Sequence, residues 1–341
     1  MKIGILTFSQ KGYGLGEKLS AYFTGRGEEA SLTRCGEGRL AEWTKAHFAA
    51  DGALVFVGSA GIAVRAIAPY VQSKTEDPAV VVVDELGTYA IPLLSGHLGG
   101  ANALAIQTAC LLGALPVITT ATDINGVFAV DVWAKGQGLI IANPERIKWI
   151  SARLLAGETI RVKSKFPLLG QVPAGLELTE DEGAYDILLT YRTRGKAEAL
   201  RLVPPIITLG IGCKKDTDVE SIEAAYELML GRANCHPAAV RQVCSIDQKA
   251  KERAILEFCH RHALPYRTFS AAQLAALPGT FAGSDFVRSV TGVDNVCERS
   301  AVLGSGAGGR LLAGKDAGHG VTMALAIAPC TLRFDEGGKE A

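Results

Sequence analysis

Residues 91–102 read Ile91-Pro-Leu-Leu-Ser-Gly-His-Leu-Gly-Gly-Ala-Asn102. An apolar run stops at Ser95-Gly96, a lone histidine follows, then two more glycines, then an Ala/Leu-rich stretch that reads as a long helix to Leu112. A histidine flanked by glycines at a strand-to-helix turn is placed for chemistry. Its ring approaches a ligand without steric cover, and backbone N–H groups at the helix start point at the same space.

Working outward, the pattern repeats. Ile3–Phe8, Ala53–Val57, Ala79–Val83 and Pro116–Thr119 are short apolar runs, with helical stretches between them. Short apolar strands alternating with helices predict an α/β fold with a mostly parallel sheet. In such a sheet the turns that follow the strands line one edge, where ligands bind. Four turns are the candidates. Gly58-Ser59-Ala60-Gly61 opens a helix carrying Arg65. Lys74–Ala79 precedes the strand that ends at Asp84-Glu85. The Ser95–Asn102 turn is the third and Thr119–Asp123 the fourth. Each has a bland reading as tight geometry, a surface arginine or a turn cap. The glycine-rich turn Gly12–Gly16 before the helical Leu19–Phe23 is not a GxGxxG, so it supports a nucleotide-binding dehydrogenase only weakly.

From about residue 140 the character changes. A helix starts at Asn143-Pro144, followed by short β-like pieces at Thr159–Val162 and Asp186–Tyr191 with prolines and glycines between. Arg161, Lys163 and Lys165 gather positive charge there, the two lysines reading as solvated surface. Tyr191–Pro205 reads as a linker. The alternation restarts at Ile206–Ile211, then Gly212–Thr217 turns into a helix to about Leu230, placing Lys214 and Lys215 at a helix N-terminus that favours an anion. Cys213 beside them reads as a small packing residue, with activation by the helix start as the alternative. Val240–Ser245, Gln248–His262, the glycine-rich Gly304–Gly309 and Val321–Ala328 complete the last part. The expected organisation is 1–140, a middle region at 141–203, and 204–334: two α/β domains with mostly parallel sheets joined by a small middle region.

Composition narrows the function. The chain has 35 basic and 35 acidic residues, so bulk charge points to neither nucleic acid nor membrane. MKIGILTF reads as a first strand rather than a signal peptide, and no apolar run is long enough to span a bilayer, so the expected compartment is the cytoplasm. Eight scattered cysteines without a CxxC pair predict reduced, mostly buried thiols, and no zinc site is expected.

The long stretch VGSAGIAVRAIAPYVQSKTEDPAVVVVDELGTYAIPLLSGHLGGAN (residues 57–102), continued by LPVITTATD, resembles the CbiG family, the cobalt-precorrin-5A hydrolases of anaerobic cobalamin biosynthesis. LGIGCKKDTDVESIEAA (residues 209–225), Gly304–Gly309 and Gly314-Lys315 resemble the C-terminal domain that this family shares with the CobE proteins. The resemblance implies a hydrolase that opens a δ-lactone on a cobalt-containing tetrapyrrole and releases acetaldehyde, leaving cobalt-precorrin-5B. It implies no cofactor, because cobalt arrives with the substrate. On this reading His97 is the general base, with Asp84 or Glu85 orienting it or assisting proton transfer. Backbone N–H groups at Gly99, Gly100 and the helix start hold the oxyanion. The expected substrate contacts are Gly58, Ser59, Gly61, Arg65, Lys74, Ser95, Gly96, Gly99, Gly100, Asn102, Thr120, Asp123, Lys214 and Lys215. A carrier that binds a corrinoid intermediate without turnover is the rival. A homodimer and contacts with neighbouring pathway enzymes stay open.

Overall fold

The structure is a computed structural model. It describes every residue except Glu37, Gly38, Lys74, Thr75, His97, Leu98, His319 and 336–341, and the side chain of Phe286. The chain packs as two compact units, Met1–Val132 and Trp133–Ala341.

The first unit is a six-stranded sheet. Its strands are β1 (Lys2–Thr7), β2 (Glu29–Arg34), β3 (Ala53–Val57), β4 (Ala79–Val83), β5 (Tyr89–Leu94) and β6 (Leu115–Pro116), in spatial order β2-β1-β3-β4-β5-β6. The central β3 and β4 are apolar throughout and buried on both sides, as interior strands covered by helices must be. Helices α1 (Gln10–Gly25) and α4 (Ala101–Leu112) cover one face, where Leu19, Phe23 and Ala105 meet Ile5, Val55 and Val81. Helices α2 (Leu40–Ala50) and α3 (Ala60–Ile67) cover the other, where Trp43, Ala63 and Ile67 meet Leu54, Phe56 and Val82. The short α5 (Ala121–Ile124) follows β6.

Two expectations are corrected in this unit. Gly12–Gly16 is not a turn, because it lies inside α1. A Cβ on Gly16 would stand 2.6 Å from Leu32 Cδ1 and 2.8 Å from Thr7 Cγ2, so the glycine lets helix and sheet approach closely and cradles no phosphate. The strand after α4 is only the pair Leu115–Pro116, not Pro116–Thr119.

The chain passes into the second unit within helix α6 (Val130–Gly136), and that unit holds two five-stranded sheets and one two-stranded pair. The middle region contains β7 (Ile140–Ile141), α7 (Glu145–Leu155), β8 (Ile160–Ser164), β9 (Leu168–Leu169), β10 (Leu176–Leu178), β11 (Ile187–Leu189) and β12 (Leu200–Val203). Five of these strands form the sheet β10-β8-β11-β12-β7, parallel except for β7. Tyr191–Pro205 is therefore not a linker: Leu200, Leu202 and Val203 of β12 are fully buried. Lys163 is not a surface lysine either. It sits on the interior strand β8, its side chain 2% exposed, and its Nζ donates to the Glu180 carbonyl at 2.7 Å and pairs with Glu182 at 2.9 Å. Its aliphatic stem fills the protein while its head reaches the rim.

The last sheet is β15-β14-β13-β17-β16, built from β13 (Ile207–Cys213), β14 (Val240–Ile246), β15 (Tyr266–Phe269), β16 (Arg310–Gly318) and β17 (Val321–Ile327). The first three run parallel, β17 runs antiparallel to β13, and β16 runs antiparallel to β17. Helices α8 (Val219–Ala233) and α9 (Arg253–Arg261) pack on one face, α10 (Ala271–Ala275) and α12 (Cys297–Ser305) on the other, with α11 (Asp285–Thr291) between those two in sequence. The pair β9–β18 (Leu332–Arg333) ties the end of the chain to the middle region. No helix among the described residues is long and apolar enough to cross a membrane.

Candidate functional site

The four candidate turns of the first unit do not gather on one edge. Strand β5 pairs antiparallel with β4, Val80 opposite Leu94 and Val83 opposite Ala90. The Ser95–Asn102 turn therefore stands where β4 begins, not where it ends. β6 runs parallel to β5, so Thr120–Asp123 joins the same side. Gly58–Arg65 and Asp84-Glu85 stand at the opposite ends of β3 and β4. Five residues of strand at about 3.3 Å each put roughly 16 Å between the two edges. A pocket shared by all four turns is excluded within this unit.

The Ser95 edge is knitted together. Ser95, at φ 56°, donates from its hydroxyl to the Asp77 carbonyl at 2.9 Å. Its own carbonyl accepts from Ala101 N–H at 3.1 Å, and that of Gly96 from Asn102 N–H at 3.0 Å. Gly100 at φ 89° turns the chain into α4. Asn102, 7% exposed, donates its side-chain amide to Thr120 Oγ1 at 3.0 Å and Asp123 Oδ2 at 2.5 Å, so one residue joins the two motifs that stand eighteen or more positions apart. Asp77, also buried, accepts from the backbone N–H groups of Gln72 and Ser73. Because Ala101 and Asn102 donate back into the turn, the first two N–H groups of α4 are not the expected oxyanion donors. His97 and Lys74, both expected at the site, lie outside the described residues.

The Gly58 edge is open. Strands β1 and β3 are neighbours whose onward connections lead to opposite sides of the sheet, the crossover point where parallel sheets receive ligands. Ser59 precedes α3 without a side-chain cap. Arg65 is exposed, with its guanidinium beside Gly61, and has no ion-pair partner among the described residues. Asp84 is committed to a tight turn, accepting from Leu86 N–H at 3.1 Å and Tyr89 N–H at 2.5 Å. Burial pushes its carboxyl up, but the donors from Tyr89, Leu86 and Thr88 outweigh that and hold it below the usual carboxylate range. Glu85 beside it is exposed.

In the second unit, Lys214 and Lys215 are exposed but do not open a helix. β13 runs to Cys213, α8 begins only at Val219, and the Asp218 carboxylate already accepts from Ser221 N–H at that terminus. Burial raises the Cys213 thiol despite nearby Lys249, so its packing reading stands over activation. Burial likewise pushes Cys235, Cys244 and Cys259 to about 12.

Two family models match the chain: Cobalamin synthesis G N-terminal over residues 42–123 and Cobalamin synthesis G C-terminus over residues 207–326. A cobalt-precorrin-5A hydrolase of Salmonella typhimurium is 34% identical over 318 residues, covering 86% of each chain. A cobalt-precorrin-5A hydrolase of Priestia megaterium is 32% identical over 295 residues, covering 81% of this chain and 78% of that one. Protein CobE of a Sinorhizobium species is 35% identical over 131 residues, 38% of this chain and 84% of the other. Both motif-bearing edges of the first sheet fall inside the N-terminal match, and the sheet of β13–β17, all but its last residue Ile327, falls inside the C-terminal one. The chain belongs to the cobalamin synthesis G family, CbiG.

Proposed function

We infer that this protein is a cobalt-precorrin-5A hydrolase of cobalamin biosynthesis, opening the δ-lactone of its substrate and releasing acetaldehyde to leave cobalt-precorrin-5B. The observation that carries this reading is the identity of 32–34% to two curated hydrolases over more than four fifths of the chain. Cobalt enters as part of the substrate.

We place the chemistry at the knitted edge. His97 takes a proton from the water that attacks the lactone carbonyl, and returns it to the ring oxygen as the C–O bond breaks. An imidazole that titrates near neutrality suits both transfers. The freed hydroxyl then loses its proton as the adjacent C–C bond breaks. The bonding pair goes to the macrocycle carbon, which is protonated, and the two-carbon fragment leaves as acetaldehyde. Two acidic residues on that edge are bonded into the knit, Asp77 through its carbonyl to Ser95 and Asp123 through its carboxylate to Asn102. Asp77 is buried and held by backbone donors, whereas Asp123 is exposed. Asp123 therefore replaces Asp84 and Glu85 as the proposed partner in proton transfer. The N–H groups of Gly99 and Gly100 remain the proposed oxyanion donors.

Anoxic incubation with cobalt-precorrin-5A tests the reading. A mass loss matching a two-carbon fragment, with acetaldehyde trapped in equal amount, is expected. Tight binding with unchanged mass identifies a carrier instead.

A further inference from the structure

The second unit contains a cavity of about 360 Å³ that the proposed reaction does not use. Its walls come from four places in the chain, one of them residues 327–330 at the end of β17. Lys165, Phe166 and Pro167 follow β8, Tyr191 and Arg192 follow β11, and Arg310 opens β16. Strands β8 and β11 are parallel neighbours in the order β10-β8-β11-β12. From β8 the chain goes on to β10 on one side, and from β11 to β12 on the other. The loops leaving their carboxyl ends diverge and open a crevice, the position at which parallel sheets bind ligands.

The chemistry of the lining is selective. Three cations face the cavity, and none of its lining residues is an aspartate or glutamate. That bias is local, because the chain has equal numbers of acids and bases. Arg192 and Arg310 have no ion-pair partner among the described residues, while Lys165 touches only the exposed Glu182, at 3.4 Å. Phe166 and Tyr191 lie with ring centres 6.4 Å apart and offer aromatic surface beside the charges, with Arg192 over the Tyr191 ring. Gly308 of the glycine-rich stretch 304–309 also lines the opening, but that stretch follows the end of α12 instead of opening a helix, so it lacks the helix N-terminus that holds a phosphate. Separate cations around an apolar floor suit several spaced carboxylates on a flat apolar body better than one compact phosphate group.

We propose that this cavity binds one edge of a carboxylated tetrapyrrole, the acetate and propionate arms pairing with Lys165, Arg192 and Arg310 and a ring edge resting on Phe166 and Tyr191. The proposal rests on the hydrolase reading for its ligand class. The volume lies near the lower end of the roughly 300–1,000 Å³ of small-molecule sites, so the cavity grips part of a macrocycle and leaves the rest exposed.

The test uses the full chain and two probes: a corrin whose acetate and propionate arms are free acids, and the same corrin with those arms as amides. The free acid should bind at least tenfold more tightly than the amide. The double variant Arg192→Ala/Arg310→Ala should weaken binding of the free acid by about tenfold or more, with Tyr191→Leu giving a smaller loss and thermal midpoints unchanged. Equal binding of acid and amide, or full affinity in the double variant, overturns the proposal, as does a cavity that takes ATP in preference to the corrin acid. The two readings fail separately. Turnover of cobalt-precorrin-5A with an unchanged KM in the double variant removes the cavity and leaves the hydrolase. Charge-dependent binding at the cavity without turnover by the wild type does the reverse.

Discussion

The two edges of the first sheet are made from the same kinds of residue and are bonded in opposite ways. At the Ser95 edge, turn carbonyls accept the first N–H groups of α4, Ser95 holds the Asp77 carbonyl, and Asn102 bridges to Thr120 and Asp123. At the Gly58 edge, α3 starts without a side-chain cap, Arg65 faces solvent with no ion-pair partner among the described residues, and the bonds of Asp84 stay within its own turn. Catalytic groups need neighbours whose own positions are fixed, whereas a surface that meets an anion does not. We therefore propose the knitted edge for the chemistry and, for the open edge, at most a passing contact.

The largest effect expected from this division is at His97. Replacing it with Ala should lower turnover by roughly 100- to 10,000-fold, the range of general-base catalysis, and acetaldehyde release measures it. Next comes Gly99→Ala. Its Cβ would lie 2.2 Å from Ser95 Cβ and 2.7 Å from the Ser95 carbonyl oxygen, whereas a Cβ on Gly61 at the open edge meets nothing nearer than 3.6 Å. Denaturant unfolding should show a loss of about 2–4 kcal/mol for Gly99→Ala and no more than about 0.5 kcal/mol for Gly61→Ala. Equal effects would erase the contrast.

Asn102→Ala should cost about 1–3 kcal/mol, because a buried bridge is lost and its partners are stranded. Asp84→Asn should cost about 1 kcal/mol or less, with a pH signature. The folded carboxyl is held below its ordinary value, so its contribution is complete above about pH 4 and is lost as pH falls through the lowered folded value. Wild type and variant should therefore converge in acid; a gap that widens there contradicts the turn-holding role. The smallest effect is expected for Arg65→Ala. An exposed ionic contact is worth about 1 kcal/mol at most, so KM should change by about fivefold or less.

Much of this was legible in the residues, and the misses have physical causes. The interior strands announce themselves through unbroken apolar runs such as Ala79–Val83, and the helix after Gly100 through its Ala/Leu pattern. The direction of β5 is also written there. Only Asp84–Thr88 separates it from β4, and five residues cannot make the crossover that a parallel neighbour requires. The Asp218 cap could have been found likewise, since Asp followed three residues later by Ser, just before an apolar-periodic stretch, marks a helix start five residues beyond Cys213. Lys163 had no such signal. Charge argues for exposure, and only the sheet order reveals that β8 is an interior strand. The Asn102 bridge was not visible either, because it depends on β5 and β6 ending on the same side.

The most direct test of the division is a pair of kcat/KM values for acetaldehyde release from cobalt-precorrin-5A, one for His97→Ala and one for Arg65→Ala. The account predicts a loss of at least about 100-fold for the first and no more than about fivefold for the second. A His97→Ala enzyme within tenfold of wild type, beside a crippled Arg65→Ala enzyme, would move the active site to the open edge.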